Sequence, residues 1–255
     1  KNIFVLTSLM LTLGCGCDSF LDETNYSDVT SEGGYYDTEA GLNAVVNACY
    51  TPLRFWAGKE DAIGLSETGT DIIAAGSGCV DNNMAAYTQS LDGTNSACTF
   101  YFDRFYAAIN WCNTAIFHAQ TVPNPSNDEI LATTLNKREA EARVLRTFYY
   151  WILTETFGDT YSTDQPSTSI VMNPVKTSTD NIYQYMFDDL DWAIKSKLST
   201  LQNDGGRVTI WTAKALKARL LLTRASEKND VDMYGQAYDC LLYTSPSPRD
   251  RTRSR

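Results

Sequence analysis

Apolar residues recur at helical spacing along most of the chain. In residues 37–55 they follow one face of a helix, with a repeat of three or four positions: Leu42, Val45, Val46, Cys49, Tyr50 and Leu53. This spacing predicts an amphipathic helix with Asp37 or Thr38 as its N-cap. Pro52 lacks the backbone N–H that a helix interior needs, so we expect it to bend or fray the last turn.

Two longer helices are predicted in the middle of the chain. One begins near Phe102 and continues until Val122 and Pro123 stop it, and the other covers Asp128–Phe157 and ends at Gly158. The inward stripe of the second helix consists of Ala142, Leu145, Tyr149 and Ile152. Because a short proline-containing loop joins the two helices, antiparallel packing is the simplest arrangement.

Three further helices follow. The first begins near Thr179 or Asp180, and its apolar stripe is Ile182, Met186, Leu190 and Ile194. The next two, Thr212–Arg224 and Val231–Leu242, are joined by a polar turn and resemble one tetratricopeptide helix hairpin. A single hairpin of this kind cannot bury its own apolar face, so stacked neighbours are required. The predicted fold is therefore all-α, an α-solenoid scaffold of tetratricopeptide-like hairpins with long irregular loops.

Two of those loops are long enough to suggest a function. Residues 69–99 and 159–178 are rich in Gly, Ser, Thr, Asn and Asp. Loops of this length within a compact domain are commonly functional or disordered.

The N-terminal residues have the pattern of an export signal. Residues 3–13 are an uncharged apolar stretch, too short to cross a bilayer that needs about 20 helical residues. The cysteines that follow resemble a bacterial lipobox, so we predict a lipoprotein signal peptide over residues 1–16 and lipidation at Cys17. Cys15 has the better small residue before it and stays an alternative, as does an ordinary signal peptide.

The last residues differ from the rest of the chain. Residues 244–255 contain four Arg, one Asp and no apolar side chain, so they cannot contribute to a core. We interpret this segment as an artefactual or disordered tail, with a site for an anionic partner as the alternative.

The net charge of −10 argues against nucleic acid as a partner, because an acidic chain repels phosphate backbones. Aromatic residues make up 12% of the chain, with 15 Tyr, 10 Phe and 5 Trp. Exposed rings present flat apolar faces with a polar edge, which suits a carbohydrate or peptide ligand.

Metal and cofactor sites are not predicted. The five cysteines after residue 17 show no C-x-x-C spacing, and the chain has a single histidine. Cys49 and Cys112 lie on apolar helix faces and are predicted to be small buried hydrophobes. Cys79 and Cys98 flank one loop and could form a disulfide in an oxidising compartment.

The chain contains paired acidic residues of the kind that a glycoside hydrolase uses, but we predict that the protein is not an enzyme. Glu67 and Asp71 are four residues apart on a predicted helix, and Asp188, Asp189 and Asp191 cluster further along. Paired carboxyl groups could act as the acid and base of a glycoside hydrolase. Adjacent acids near a helix start are more commonly partners of the helix dipole or part of a solvated face.

Other charged residues of the predicted helices have a structural interpretation. Glu141 is predicted to form an intrahelical ion-pair set with Arg138, Arg143 and Arg146. His118 is predicted to be a surface or partly buried residue.

The aromatic run Tyr149, Tyr150 and Trp151 could be taken for a ligand-binding box. Helical spacing instead predicts Tyr149 in the core and the other two in packing between paired helices.

Five segments, in this order, resemble the SusD/RagB family of nutrient-binding outer-membrane lipoproteins. They are CDSFLD at 17–22, LSETGTD at 65–71, YAAINWCN at 106–113, EARVLRTFYY to FGD at 141–159, and GRVT with AKALKAR at 206–219. Thr160 and Tyr161 stand where the family has a proline after Gly-Asp. The family's chains are longer, so residues 17–243 are predicted to be an incomplete N-terminal helical domain.

The resemblance implies a surface-exposed protein of the outer membrane, held in the lipid by its N-terminal acyl anchor. Such a protein binds an oligosaccharide or peptide and delivers it to a SusC-type TonB-dependent transporter, without a cofactor. A secreted helical glycoside hydrolase and a protein-interaction scaffold are the alternatives.

The resemblance also suggests where a ligand would bind. The family's ligand face draws partly on loops after the Thr-Asp helix, so we predict Asp81, Asn82, Asn83 and Tyr87 as ligand-binding residues. No family motif reaches these four positions, and an ordinary polar loop is the alternative.

Overall fold

The structure is a computed structural model that describes residues 35–57, 60–74, 76, 86–89, 91–124, 126–196, 198 and 205–242. The predicted signal peptide, Cys17 and the tail at 244–255 lie outside the described residues. After a 3₁₀ turn at Tyr35–Asp37, the helices are α1 (Glu39–Tyr50), α2 (Leu53–Ala57), α3 (Glu60–Ser66), α4 (Ser96–Thr121), α5 (Glu129–Phe157), α6 (Thr179–Lys195), α7 (Ile210–Lys228) and α8 (Val231–Leu242).

The predicted all-α fold is confirmed. Within the described ranges the extended structure amounts to one isolated antiparallel bridge, between Thr160 and Thr177. None of the helices in these ranges combines the length and the apolar character needed to cross a membrane.

Helix α1 has the cap that its sequence predicts. The Thr38 side chain accepts a hydrogen bond from the Gly41 N–H, which satisfies one of the free donors of the first turn. The helix ends at Tyr50, and α2 begins at Leu53. Pro52 thus separates two helices because it cannot donate the hydrogen bond that would continue the first.

Helices α4 and α5 are the longest and pack against each other. Helix α5 begins one residue later than predicted, because the Asp128 side chain serves as its N-cap, and Gly158, with φ +71°, ends it as predicted. Helix α4 begins at Ser96, earlier than predicted, because the Asn95 side chain accepts hydrogen bonds from two N–H groups of its first turn.

The core lies where α1, α4, α5 and α6 meet. The Tyr149 hydroxyl donates a hydrogen bond to the Cys49 carbonyl at 2.6 Å and ties α5 to α1. Cys49 and Cys112 are fully buried, as predicted. Burial raises the pKa of the Cys112 thiol well above its usual range, so this thiol stays protonated and unreactive. Cys79 lies outside the described residues, and its disulfide with Cys98 stays a prediction.

Helices α7 and α8 form the predicted hairpin. Thr209 and Thr212 make a reciprocal capping box at the start of α7, and Asn229, with φ +54°, ends the helix. Helix α8 runs from Val231 to Leu242 as predicted and packs on α7.

The arginines of α5 make contacts that the sequence interpretation missed. Arg138 pairs with Glu141 within the helix, as predicted. Arg143 pairs with Glu139 of the same helix, but it also reaches Asp189 of α6 at 2.6 Å. Arg146 pairs with the same Asp189 at 2.8 Å. Arg146 points into the core, so the carboxylate that neutralises it has to come from a neighbouring helix. The prediction of a wholly intrahelical set is therefore wrong.

Residues of the family-like motif on α4 hold the long loop at 159–178. The Tyr106 hydroxyl donates to the Tyr161 carbonyl at 2.7 Å. The Asn113 side-chain amide donates to the carbonyls of Thr163 and Gln165, at 3.1 and 3.0 Å. This loop is thus fixed to the helical scaffold by specific side chains, and the motif has a structural role.

His118 is buried, with 2% of its surface exposed, so its prediction as a surface or partly buried residue is wrong. Its Nδ1 lies 2.8 Å from the Asp37 carboxylate, and Tyr36 packs against its ring. The 3₁₀ turn before α1 folds over this part of α4 and covers it.

Candidate ligand-binding cleft

A cleft of 1220 Å³ opens between α2, the C-terminal half of α3, Tyr87, residues 91–93, the start of α4, the end of α5 and α7. Within the described part of the chain, six aromatic residues line it: Trp56, Tyr87, Phe102, Phe148, Trp151 and Phe157. We call this site the aromatic cleft. Its volume is above the usual range of roughly 300 to 1,000 Å³ for small-ligand sites, so it has room for several linked rings.

One wall of the aromatic cleft comes from the end of α5. Phe148, Trp151 and Glu155 lie three and four residues apart, which places them on one helix face. The Arg219 guanidinium of α7 lies over the Trp151 indole, 5.1 Å from the ring centroid. Trp151 therefore contributes to the cleft, and the prediction that it serves only in packing between helices is wrong.

The opposite wall comes from α2 and the start of α4. Trp56 packs edge-on against Tyr101, with ring centroids 6.0 Å apart. Phe102 packs edge-on against Phe157 of α5 at 5.3 Å and keeps 39% of its surface exposed. These ring contacts orient Trp56 and Phe102 at the wall of the cleft.

Tyr87, one of the four predicted ligand-binding residues, lines the cleft with 71% of its surface exposed. Its φ is +48°, a left-handed conformation that an aromatic residue rarely adopts. Its hydroxyl lies against Gly69, where a Cβ would come within 2.9 Å of the oxygen. Strained backbone of this kind is concentrated at functional sites. Asp81, Asn82 and Asn83 lie outside the described residues.

The family-like segment 65–71 also reaches the cleft. Leu65, Glu67 and Thr68 line it from the turn that follows α3. Because α3 ends at Ser66, Glu67 and Asp71 are not on one helix, and the predicted helical spacing of these two acids is wrong. The turn that follows α3 contains Gly69, whose φ of +88° is a left-handed conformation that glycine adopts at little cost.

Two carboxylates of the cleft are held by hydroxyl groups. The Tyr183 hydroxyl donates a hydrogen bond to Glu155. Burial, followed by the hydrogen bond to Glu155 and then the charge of Glu155, raises the pKa of Tyr183, so this hydroxyl remains a donor. The Thr94 hydroxyl and N–H donate to Asp92 at 2.7 and 2.8 Å and lower the pKa of that carboxyl, which is therefore ionised at neutral pH.

The acidic cluster of α6 lies outside the cleft. Asp189 is buried against Arg146, so its prediction as a dipole partner or part of a solvated face is wrong. Asp191 pairs with Lys217, and Asp188 accepts a hydrogen bond from Gln184. Across the described residues, no group of three or more His, Cys, Asp or Glu side chains is arranged to hold a metal ion.

Most of the cleft residues were not identified from the sequence. Trp56, Phe102, Phe148 and Arg219 come from four different helices, and their convergence depends on packing between distant parts of the chain. The available signal was the spacing of Phe148, Trp151 and Glu155 on one face of α5, which combines two large rings with a carboxylate.

Comparisons with known proteins indicate one family. A SusD-like family model described as "Starch-binding associating with outer membrane" matches residues 19–222. A curated SusD-like protein from Bacteroides ovatus is 26% identical over 240 residues, which is 90% of this chain and 40% of that protein. This chain therefore spans less than half the length of that relative.

Solved structures show the same fold. A crystal structure of a SusD homolog from Bacteroides thetaiotaomicron gives a TM-score of 0.70 at 20% identity, covering 84% of this chain and 42% of its own. A protein described as a laminarin binding SusD-like protein gives 0.60 at 22% identity, covering 81% and 43%.

Proposed function

Because this chain belongs to the SusD-like family, described as starch-binding and associating with the outer membrane, we propose that its aromatic cleft binds a glycan. The glycan is held without cleavage at the cell surface. Delivery of the bound oligosaccharide to a SusC-type TonB-dependent transporter is part of this proposal, as is anchoring through an acyl group on Cys17.

The observation that carries the proposal is the set of six rings around one open cleft. A pyranose ring has an apolar face of C–H groups and a rim of hydroxyls. The faces stack on aromatic rings, and the hydroxyls bond to the surrounding polar side chains at about 0.5 to 1.5 kcal/mol net for each pair. Tyr87, Glu155 and Arg219 provide such polar groups beside the rings.

The comparisons support the same class of ligand. The family description names starch, and a structural relative is described as laminarin binding. Both polymers are glucans, and stacked rings on a rigid helical scaffold suit a repeating sugar chain.

The test is affinity electrophoresis of the chain through gels containing starch, laminarin or xyloglucan, with reducing ends measured in parallel. We expect retardation by at least one polymer and no release of reducing ends. Trp151→Ala and Tyr87→Ala should each weaken the retardation. Tyr238→Ala, which removes an exposed ring from α8 outside the cleft, is the matched control.

Three results would count against the proposal. Release of reducing ends would favour the hydrolase alternative. Retardation that Trp151→Ala and Tyr87→Ala leave unchanged would place binding elsewhere. Migration unaffected by a broad panel of polysaccharides would remove glycan binding altogether.

A further inference from the structure

The charges of the aromatic cleft are unbalanced. Within the described ranges, three carboxylates line it, those of Glu67, Asp92 and Glu155, against one guanidinium, that of Arg219. Among the described residues, none of these three carboxylates lies within 4.0 Å of a basic group.

The buried carboxylates of the core are paired with basic groups, in contrast to the cleft carboxylates. The buried Glu139, Glu141 and Asp189 are each neutralised by one or two arginines at 2.8 Å or less. The chain thus provides counter-charges where acids support the core, whereas the described residues place no basic group in an ion pair with the cleft acids. Hydroxyl donors hold Asp92 and Glu155 in place, and such donors orient a carboxylate without cancelling its charge.

Arg219 offsets only part of this charge. The Arg219 guanidinium, on α7, lies over the Trp151 indole. Glu155 lies one turn after Trp151 on the same face of α5. One positive charge and three negative charges leave a net charge of about −2 around the described part of the cleft, within a chain of net charge −10.

We propose that the aromatic cleft selects uncharged glycans and discriminates against glycans that carry carboxylate or sulfate groups. This inference rests on the proposed function and specifies the substrate class of the same site. Uncharged sugar hydroxyls donate charge-assisted hydrogen bonds to the remaining acceptor positions of the cleft carboxylates. A carboxylate on the sugar cannot donate and is repelled by the same groups.

The expected discrimination follows from Coulomb's law. With two uncompensated charges about 10 Å from a sugar carboxylate and an effective dielectric constant of about 40, binding weakens about fivefold to tenfold per carboxylate at 0.01 M salt. At 0.5 M salt the same interaction is screened to less than about twofold.

The experiment compares each glycan with a matched charged form. Starch, laminarin and xyloglucan are tested beside derivatives whose C6 hydroxymethyl groups are oxidised to carboxylates, and polygalacturonate beside its carboxyl-reduced form. Affinity electrophoresis of the chain at low and high salt measures both members of each pair. We expect the neutral member to be retained more strongly, with a difference that shrinks as salt rises.

Two triple variants separate the cleft charges from the overall charge. The first variant, Glu67→Gln with Asp92→Asn and Glu155→Gln, should reduce the discrimination. The second is the control, Glu129→Gln with Asp188→Asn and Asp239→Asn, which removes the same charge from exposed sites outside the cleft and should preserve the discrimination.

Each outcome has a separate meaning. Equal retention of both forms, or stronger retention of the charged form, would overturn the charge selectivity and leave glycan binding intact. A salt-independent difference that survives in the first triple variant would also overturn it. Failure to retain any glycan, charged or neutral, would overturn the proposed function itself.

Discussion

Removal of the Asp189 carboxylate should destabilise the protein severely. Asp189 and Arg146 each have 2% of their side chains exposed, and two hydrogen bonds of 2.8 Å join them. Arg143 shares the same carboxylate at 2.6 Å. In Asp189→Ala the Arg146 guanidinium keeps its bond to Asn113 but has no buried counter-charge. Breaking a buried pair in this way costs about 3 to 5 kcal/mol.

Asp191 provides the matched control on the same helix. Its carboxylate pairs with Lys217, but 45% of the side chain is exposed, so the pair is screened by water. Asp191→Ala should therefore cost less than about 1 kcal/mol. The comparison keeps the helix, the residue type and the substitution constant and varies the burial.

Urea denaturation followed by circular dichroism measures both free energies of unfolding. A loss of about 3 to 5 kcal/mol corresponds to a fall in Tm of about 10 °C for a chain of this size. The double variant Arg146→Met with Asp189→Leu removes both charges and should lose less than Asp189→Ala alone. If Asp189→Ala and Asp191→Ala lie within 1 kcal/mol of each other, the argument from burial is refuted.

Three further predictions concern the loop and the termini. Asn113→Ala removes the amide that donates to the Thr163 and Gln165 carbonyls and the oxygen that accepts from Arg146, and should cost about 1 to 3 kcal/mol. The two carbonyls keep the Tyr150 and Thr163 hydroxyls as donors, but the loop loses its tie to α4, so hydrogen exchange in residues 161–167 should become faster. Unchanged exchange would contradict the anchoring role. The Thr179 N–H and hydroxyl donate to the Asp159 carboxylate and lower its pKa. The contribution of this contact to stability is therefore complete above the ordinary Asp pKa of about 4 and is lost as the pH falls through the lowered pKa. An NMR titration in which Asp159 has an ordinary midpoint would refute this prediction. Cells should incorporate labelled palmitate into the chain, and the Cys17→Ala variant should not become labelled. If Cys15→Ala alone abolishes the labelling, the acylated residue is Cys15.

The helices that could be predicted best carry local signals at their ends. Asp128 and Gly158 delimit α5 because a side-chain cap and a positive φ are properties of single residues. The start of α4 was missed because Asn95 follows a polar stretch in which no apolar pattern distinguishes a cap from a loop. The burial of His118 was missed because its partner Asp37 is 81 residues away.

Fewer of the cleft residues than of the helix ends could be predicted from the sequence. Tyr87 was identified from a family resemblance, and the structure brings it into the cleft. Trp56, Trp151 and Arg219 are separated by long stretches of chain, and their meeting depends on how α2, α5 and α7 pack. A single sequence shows which helix face is apolar, but it does not show which faces meet.

The measurement that tests the central claim most directly is a tryptophan fluorescence titration with an oligosaccharide from a polymer that the chain retains. We expect a saturable change in emission that is greatly reduced when Trp56 and Trp151 are both replaced by Phe. The change should persist in Trp111→Phe, which alters an exposed ring outside the cleft. A saturable change of full size in the Trp56→Phe, Trp151→Phe double variant would show that the glycan binds elsewhere and would contradict the account.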